Sequence, residues 1–419
     1  MQTAIRTKSL DNGMTLIAEE MPWLQSVSFS FSLLNGCCYD PDAREGMASF
    51  VSEMVQRGCG DFDSRAYIEQ LDSLGVDYSS SVTVYHTHFN GSLPAARLSD
   101  TMQVYSDLLR RPRLPANQVE DARLVCMQEV RAIEDDLAQR VMLKLRERQY
   151  GNPLGRAIHG NEASISAINY DEIVAHYESM YQPYGAILGV AGNFEWERLC
   201  QEFESLFADW QPNPRSVIAS TERTVGTCHI HHESQQTHIG LAFPSVTYSS
   251  PDYFLARGAV GVLSDGMSSR LFSEIREKRG LCYSVYASLH SLKDQGSVFS
   301  YVGTGVERAQ QSLDVLYEQL TKLTDGITEP ELDRLRIQIR SSLVMQQESS
   351  RSRVASISGD YFHLGYARSL NDINQKIQNL SVEDINEYLQ KHPPQDFNLV
   401  TLGPTPLELP YALHAATTG

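Results

Sequence analysis

Three polar residues near the N-terminus stand at the spacing by which a helix presents catalytic or metal-binding groups. In 46-GMASFVSEMVQRG-58, Ser49, Ser52 and Glu53 follow the pattern i, i+3, i+4 and share one face, while most of the remaining residues are apolar. Neither serine lies in the glycine-flanked turn of a hydrolase nucleophile, and no histidine is near in sequence to act as its base. Residue types alone therefore favour a core helix over an active site.

A second candidate is the histidine-rich segment CHIHHE at 228–233. His229 and His231 would share one face of a strand, with His232 on the opposite face. A metal site needs a third or fourth ligand, and nothing in the sequence identifies one. The pattern is more typical of a strand that opens a domain, and a metalloenzyme built on these histidines is the least favoured hypothesis.

The third candidate joins a basic cluster to an aromatic strand in GMSSRLFSEIREKRGLCYSVYASL, residues 266–289. The pattern predicts a helix over 267–275 and a strand from Tyr283 to Tyr286. Arg276 and Tyr283 then lie on either side of the turn between the two elements. The chemistry of these residues alone does not separate a functional pair from a capped helix end followed by a strand tyrosine.

Length and cysteine content indicate the kind of chain that must position these groups. A chain of 419 residues with 42% hydrophobic content can bury more than one core, which suggests two or three domains. Its seven cysteines include no C-x-x-C pair. We therefore expect buried thiols in a reducing compartment rather than a disulfide framework or a zinc ribbon.

Charge and hydropathy exclude several classes of protein. The formal net charge is −17, whereas nucleic-acid binding needs a basic surface. No run of apolar residues is long enough for a membrane-spanning helix, and the N-terminus lacks the continuous apolar segment of a secretory signal. We expect a cytoplasmic chain that binds neither membrane nor nucleic acid.

The sequence repeats one pattern about half a chain apart. ISAINYDEIVAHYESMYQP parallels IQNLSVEDINEYLQKHPP, with Ile168 against Leu380 at an offset of 212 residues. Each of these short helices begins with a capping residue, Asn169 or Ser381, followed by acidic residues in its first turn. Each half also opens with an alternating strand and closes with a strand-like run that ends in glycine.

This repetition predicts an α+β fold made of two tandem homologous α+β domains, each a mixed sheet packed with helices. The opening strand VSFSFSLLNG places Val27, Phe29 and Phe31 on one face and serines on the other. The polar, proline-containing stretch WQPNPRSVIASTERTVG marks the linker. The predicted boundaries are 1–212 for the first domain, 213–226 for the linker and 227–419 for the second domain.

Taken together, the duplicated halves, the opening helix and LFSEIREKRGLCYSVYA resemble the pitrilysin and mitochondrial processing peptidase family of zinc proteases. The resemblance runs from DNGMTLIAEE at 11–20 to the closing strand FNLVTLGP at 397–404. It implies that the two domains form half of a clamshell chamber, which would admit a peptide or an unfolded segment and exclude folded proteins.

In that family the first helix reads like G-x-A-H-F-L-E-H-M, in which two histidines bind zinc and the glutamate activates the attacking water. Laid on this chain, the histidine positions are Ser49 and Glu53, and the glutamate position is Ser52. The family's third ligand, a glutamate on a later helix, corresponds to Glu129 in VCMQEVRA. The resemblance therefore implies a degenerate zinc motif and no metal in this chain.

The second family signature is present. Active members use an arginine and a tyrosine, seven residues apart in the second domain, that close over the bound peptide, and Arg276 and Tyr283 match this spacing. In the family the arginine donates hydrogen bonds to peptide carbonyls, and the tyrosine hydroxyl stabilises the developing oxyanion beside the zinc. In some members one polypeptide carries both signatures, and in others two chains share them as a heterodimer.

The resemblance thus implies a non-zinc-binding subunit of a heterodimeric zinc peptidase, inactive alone, that supplies Arg276 and Tyr283 to a zinc site on its partner. Two alternatives keep the fold without this chemistry. One is a scaffold subunit in which neither signature is functional, and the other is a homodimer that binds peptides without cutting them.

Overall fold

The computed structural model describes residues 4–213, 218 and 222–410. Short strands alternate with helices along the whole of this part of the chain, as in other α+β proteins. The strands are β1 (Ile5–Ser9), β2 (Thr15–Glu20), β3 (Ser26–Leu33), β4 (Gly58–Cys59), β5 (Phe62–Asp63), β6 (Asp77–Val82), β7 (Thr87–Pro94), β8 (Ile187–Gly192), β9 (Gly226–His231), β10 (Gln236–Ser245), β11 (Cys282–Ser291), β12 (Gly296–Gly305) and β13 (Asn398–Gly403).

The helices of the described residues vary in length from two turns to five. They are α1 (Met47–Val55), α2 (Ser64–Leu74), α3 (Leu98–Arg110), α4 (Val119–Asp135), α5 (Leu137–Tyr150), α6 (Glu162–Ala167), α7 (Tyr170–Met180), α8 (Trp196–Phe207), α9 (Tyr253–Ser264), α10 (Ala309–Thr321), α11 (Glu329–Gln346), α12 (Ser350–Leu364), α13 (Leu370–Gln378) and α14 (Val382–Lys391). Shorter 3₁₀ turns are Cys37–Tyr39, Ala95–Arg97, Ala116–Gln118, Val306–Arg308 and Lys322–Asp325, and a π-helical turn covers Phe272–Glu277. None of the described helices is both long enough and apolar enough to cross a membrane.

The chain forms two compact units, each of which includes a segment from the other half of the sequence. The first unit consists of Met1–Ala132, Asn152–Ser220 and Leu343–Leu370, and the second of Ile133–Gly151, Thr221–Ser342 and Asn371–Gly419. These units differ from the contiguous domains predicted at 1–212 and 227–419 in the two exchanged segments. Residues 214–217 and 219–221 of the predicted linker lie outside the described part of the chain.

The first unit is built on a six-stranded sheet in the order β1-β2-β8-β3-β7-β6. Strands β2 and β8 are parallel, and every other neighbouring pair in this sheet is antiparallel. One face of the sheet carries the main core, in which Phe29 and Phe31 of β3 pack against Phe50 of α1, Tyr105 of α3 and Phe207 of α8. This core positions α1, the helix that carries the degenerate motif.

The second unit repeats this plan with five strands in the order β11-β12-β10-β13-β9. Strands β13 and β9 are parallel, and the other neighbouring pairs are antiparallel. Ile239 and Leu241 of β10 face a core that includes Leu263 of α9, Leu316 of α10 and Leu389 of α14. Strand β11, which carries Tyr283, lies at the edge of this sheet.

The duplication predicted from the sequence is confirmed by the strand orders. Read in the same direction, β2-β8-β3-β7-β6 and β9-β13-β10-β12-β11 each place a parallel pair first and three antiparallel strands after it. The predicted helix caps are also present, because the side chain of Asn169 accepts a hydrogen bond from the Glu172 amide and that of Ser381 accepts one from the Asp384 amide, both at 3.0 Å. Two homologous α+β units with mixed sheets are therefore a correct prediction.

Each sheet has a second face that is covered by a helix from the other half of the sequence. Helix α12 packs across β2, β3 and β8 of the first unit, and α5 packs across β10 and β13 of the second. Glycines allow the close approach, since a side chain at Gly189 of β8 would meet Ser358 of α12, and one at Gly240 of β10 would meet Val141 of α5. The strands therefore contribute to this arrangement, because their glycines leave room for α12 and α5.

The serine face of β3 lies beneath α12. Val27, Phe29 and Phe31 face the main core, as the alternating pattern predicts. The opposite face, with Ser28, Ser30 and Ser32, is also buried in the structure. A strand with this alternation normally keeps its polar face in water, and here a helix distant in sequence covers it.

The fit between Gly189 and α12 makes a prediction for stability. A methyl group added at Gly189 would lie 2.1 Å from Ser358 Oγ and 3.3 Å from Val354 Cγ1. We expect Gly189→Ala to lower the free energy of unfolding by about 1–3 kcal/mol, because overpacked positions typically lose this much. Ser358→Ala alone should be nearly neutral, since Ser358 Oγ has no hydrogen-bond partner among the described residues. Denaturant unfolding of the double variant should recover most of the loss, and a failure to recover would contradict this seating of α12.

Candidate functional site

Helix α1 is fixed at its N-terminus by a buried carboxylate. Asp40 accepts hydrogen bonds from the backbone amides of Gly46 and Ala48, both at 2.8 Å. Burial raises the pKa of Asp40 to about 7, although these two hydrogen bonds oppose the shift. Gly46 has φ +88°, and a side chain there would strike the backbone of His159. The start of the helix is thus held by one acid and one glycine.

The two serines of the degenerate motif point into the protein. Ser49 Oγ donates a hydrogen bond to the carbonyl oxygen of Ile158 at 2.8 Å. Ser52 is buried, with 4% of its surface exposed. At the position where the family places a zinc-binding histidine, this chain therefore has a hydroxyl that is engaged with the backbone of another segment.

The two glutamates of the degenerate motif each have a cationic or imidazole neighbour. Glu53 forms an ion pair with Arg57 at 2.8 Å, one helical turn further along the chain. Glu129 of α4 lies 3.0 Å from Nδ1 of His159. Both carboxylates thus have local partners that a metal ion would have to displace.

The residues at this position do not fit zinc. Zinc sites in proteins use imidazole, thiolate and carboxylate ligands in a tetrahedral arrangement. Across residues 4–213, 218 and 222–410, no three His, Cys, Asp or Glu side chains gather as a metal site would require. Burial raises the pKa of the Cys126 thiol to about 12, and the carboxylates of Glu129 and Glu53 raise it further.

Sequence reasoning missed the residues that occupy this position. The ion pair of Arg57 could have been predicted from the sequence, because Arg57 follows Glu53 by four residues and such pairs meet on a helix surface. Ile158 and His159 have no such signal, since they lie far from their partners in sequence and are brought to α1 and α4 by the fold. Asp40 likewise precedes its helix by more than the usual capping distance.

Arg276 lies in a π-helical turn, and the predicted helix over 267–275 is wrong in its boundaries. The chain turns after α9, and the helical residues that follow end in the π turn Phe272–Glu277. The amide of Lys278 donates to the carbonyl of Ser273, five residues back, at 3.0 Å. Such turns are rare and occur frequently at functional sites, where the extra residue redirects a side chain.

Tyr283 occupies a bulge in the edge strand β11. Cys282 pairs with Thr304 and Ser284 pairs with Gly303, which leaves Tyr283 as the extra residue between them. The tyrosine is 71% exposed. A bulge at a sheet edge ends regular pairing and re-aims a side chain, so both predicted residues are presented by local irregularities of the backbone.

The electrostatic surroundings distinguish Arg276 from the basic residues that follow it. Lys278 and Arg279 both pair with Glu274, and these contacts hold the pKa of Glu274 below its usual value. The Arg276 guanidinium lies 5.0 Å from the ring centroid of Phe272 and forms no ion pair with a described residue. It is therefore the member of the cluster that remains available to a ligand.

The histidine-rich segment is a strand, as its pattern favours. His229 lies on β9, where its Nδ1 is 2.9 Å from Thr401 Oγ1. His231 is near Glu233 at 3.2 Å, and the backbone amide of His232 donates to Gly403. The structure does not bring a third metal ligand to these residues within the part of the chain that it describes.

Two models of one peptidase family match this chain, and together they cover most of its length. The profile described as "Insulinase (Peptidase family M16)" matches residues 16–162, and "Peptidase M16 inactive domain" matches residues 167–339. The chain belongs to the M16 peptidase family. The resemblance to pitrilysin-type zinc proteases is thereby confirmed, with the second match to a domain that is itself described as inactive.

Relatives of this M16 chain extend over nearly its whole length. The uncharacterized zinc protease YmxG of Bacillus subtilis is 24% identical over 404 residues, which are 96% of this chain and 98% of that protein. An uncharacterized zinc protease of Rickettsia bellii is 24% identical over 387 residues, 92% of this chain and 94% of the relative.

Solved structures confirm the M16 fold. A peptidase M16 inactive domain from Pseudomonas fluorescens has a TM-score of 0.89 at 21% identity, covering 97% of this chain and 99% of its own. A protease from Helicobacter pylori has a TM-score of 0.87 at 18% identity, covering 96% and 100%. At these identities the likeness establishes the fold alone.

The buried acid at the start of α1 makes a prediction for pH dependence. Because the pKa of Asp40 is raised from 3.8 to about 7 in the folded state, the unfolded chain ionises first as the pH rises. Wild type should therefore lose stability relative to Asp40→Asn between about pH 4 and pH 7. Denaturant unfolding across this range measures the difference between the two proteins.

Glu331→Gln is the matched control. Burial alone would raise the pKa of Glu331. The hydrogen bonds that Glu331 accepts from Arg270 and Thr328 outweigh this effect and lower the pKa of Glu331 to about 2. Its contribution to stability is therefore lost below pH 4.5, and the gap between wild type and Glu331→Gln should stay flat from pH 5 to pH 7. A gap between wild type and Asp40→Asn that is equally flat would show that Asp40 does not titrate in this range.

Proposed function

We propose that this M16 chain is the non-zinc-binding subunit of a heterodimeric zinc peptidase, in which Arg276 and Tyr283 serve a zinc site on the partner. In this reaction the guanidinium of Arg276 donates to carbonyl oxygens of the bound peptide. The Tyr283 hydroxyl donates to the oxyanion that forms when water attacks the scissile carbonyl. The zinc ion and the base that activates the water belong to the partner.

One observation carries the proposal. Arg276 and Tyr283 are both exposed, and each is presented by a local irregularity of the backbone, a π turn for the arginine and an edge-strand bulge for the tyrosine. An exposed arginine without an ion pair and an exposed aromatic side chain have no evident structural task here. Backbone irregularities of both kinds are typical of functional positions.

The residues at the family's zinc-motif positions on α1 support the proposal that the zinc site belongs to a second chain. Ser49 is bound to a backbone carbonyl, and Glu53 and Glu129 have partners of their own. With a serine at the general-base position, Ser52, this chain holds no group that activates water at α1. Peptide cleavage by the isolated chain is therefore not part of the proposal.

The substrate class follows from the same geometry. Strand β6, beside α1, is an edge strand whose free backbone groups can pair with an extended chain. Its sequence DYSSSV contains neither proline nor lysine, the residues that commonly protect an edge from pairing. We infer that the substrate is a peptide or an unfolded segment bound in extended form.

Two other functions are compatible with this fold. A chain of Complex III2 from Candida albicans has a TM-score of 0.83 at 15% identity, so the fold also occurs within a large assembly. A scaffold role would leave Arg276 and Tyr283 without a task. A homodimer that binds peptides without cutting them would use the same edge strand but no zinc partner.

Affinity purification of this chain from its host under mild conditions, followed by mass spectrometry, tests the proposal. The expected result is a stoichiometric companion of similar mass that carries an intact H-x-x-E-H helix. Recovery of the chain only with itself would replace the proposal with the peptide-binding homodimer. Recovery in a larger assembly without such a companion would favour the scaffold.

Substitutions in the reconstituted complex test the roles of the two residues. Tyr283→Phe should lower turnover by about 10²–10³-fold, the usual cost of removing one oxyanion donor. Arg276→Ala should lower kcat/KM by about 10–100-fold, because it removes a charged hydrogen-bond donor to the bound peptide. Assembly should persist, because both side chains are exposed. Tyr286→Phe and Arg279→Ala are the matched controls from the same segment, and equal losses in the controls would contradict a specific role for Arg276 and Tyr283.

A further inference from the structure

The connection between the π turn of Arg276 and the strand of Tyr283 is held at Leu281. The amide of Leu281 donates a hydrogen bond to the carbonyl oxygen of Ile275 at 2.9 Å, one residue before Arg276. The carbonyl oxygen of Leu281 accepts a hydrogen bond from Thr304 Oγ1 at 2.5 Å. Its side chain is buried in the core of the second unit. Leu281 therefore joins the turn that carries the arginine to the strand that carries the tyrosine.

The bulge in β11 explains why a threonine hydroxyl is needed here. Pairing with β12 begins at Cys282, opposite Thr304, and it is interrupted at the next residue, Tyr283. Leu281 precedes the first pair, so the regular ladder does not supply a partner for its carbonyl oxygen. A buried carbonyl group needs a hydrogen-bond donor, and the fully buried side chain of Thr304 provides one.

The start of α10 supports this contact. Ser312, which is also fully buried, has its Oγ 3.1 Å from Thr304 Oγ1 and 2.9 Å from the carbonyl oxygen of Arg308. Nη1 of Arg308 donates a hydrogen bond to the carbonyl oxygen of Gly280 at 2.5 Å. The residues around the start of α10 thus hold two successive carbonyl groups, those of Gly280 and Leu281, immediately before the strand begins.

The arginine and the tyrosine lie at the two ends of this short connection. Gly280 has φ +59°, and its amide donates a hydrogen bond to the carbonyl oxygen of Arg276 at 3.1 Å. Glycine adopts this left-handed conformation readily, which allows a tight turn. Burial raises the pKa of the Cys282 thiol to about 11, and the Arg276 guanidinium opposes this rise. Arg276 is therefore near the residue that precedes Tyr283.

We propose that Thr304 is a positioning residue for Tyr283, and that its hydroxyl fixes the direction of the tyrosine through the carbonyl group of Leu281. The inference rests on the proposed function, because it assigns Thr304 a role in the same peptide cleavage. Thr304 does not touch the peptide, since it has no exposed surface. A displacement of about 1 Å in a group that acts on the transition state can lower a rate by about 10²-fold.

The neighbouring strand offers a matched control. Thr237 of β10 is the register partner of Thr304, and both side chains are fully buried. Thr237 Oγ1 has no hydrogen-bond partner among the residues that the structure describes. Thr304→Val and Thr237→Val therefore remove the same group from the same kind of environment, and only the first removes the contact with Leu281. Thr304→Ser keeps the hydroxyl and serves as the conservative variant.

Fluorine NMR of the full-length chain, labelled with fluorotyrosine, tests the positioning without a partner subunit. The Tyr283 resonance is assigned by its absence in Tyr283→Phe. Thr304→Val should shift or broaden this resonance, whereas Thr237→Val and Thr304→Ser should leave it unchanged. Ser312→Ala should change it in the same direction, which keeps the test decisive if Thr304→Val does not fold. A Tyr283 resonance that is the same in all these variants would overturn the proposal.

Kinetics of the reconstituted complex separate positioning from a general structural effect. Thr304→Val should lower kcat by about 10-fold and change KM by less than about 3-fold, and Thr237→Val should match wild type. In a Tyr283→Phe background, Thr304→Val should cost less than about 2-fold, because the hydroxyl through which it acts is absent. Equal losses in the two backgrounds would overturn the positioning role. Full activity of Tyr283→Phe would instead contradict the proposed function, while the resonance in the isolated chain still decides whether Thr304 positions Tyr283.

Discussion

The structure depends on one constraint. Each of its two sheets has two faces that must be covered, and most of the helices from the same half of the sequence lie on only one of them. The first half places α1, α3, α7 and α8 on the apolar face of its sheet, and the second half does the same with α9, α10 and α14. The remaining faces are covered by exchange, α12 lying on the first sheet and α5 on the second. Glycines at Gly189 and Gly240 admit these helices. A chain built in this way cannot be divided at its sequence midpoint without uncovering a face of each sheet.

The two exchanged helices both meet their sheets with apolar side chains, and they differ in the polar contacts that accompany them. Helix α5 meets its sheet with Val141 and Leu145, both fully buried, and Gln149 Oε1 accepts a hydrogen bond from Asn398 Nδ2 at 2.8 Å. Helix α12 also meets its sheet with buried apolar side chains, Ile357 and Val354, and adds the buried ion pair of Arg353 and Glu19. A buried ion pair fixes geometry more than it adds stability, because both charges lose their hydration. Duplicated domains can thus share a strand order and still differ in the polar contacts of their covering helices.

Periodicity and capping in the sequence were sufficient for the duplication, the core face of β3 and the caps at Asn169 and Ser381, because these features depend on neighbours within a few residues. The exchange of α5 and α12 was not predictable, since the serines of β3 read as a face open to solvent. The π turn at Phe272–Glu277 was missed for a similar reason, because one extra residue in a helix leaves no mark on hydropathy. At the candidate site the resemblance supplied positions such as Ser49 and Glu129, and only the fold supplied their partners Ile158 and His159.

The fold of α1 does not depend on metal ligands, which is compatible with the proposed division of the catalytic apparatus between two chains. The helix is held by Asp40 and by the apolar core, neither of which depends on a metal. Positions 49, 52 and 53 can therefore differ from the family's zinc motif while the scaffold remains. The segment with Arg276 and Tyr283 is different, because a π turn and an edge bulge interrupt its regular hydrogen bonding. Features of both kinds occur frequently at functional sites, and this is the physical reason to place the proposed chemistry of this chain there.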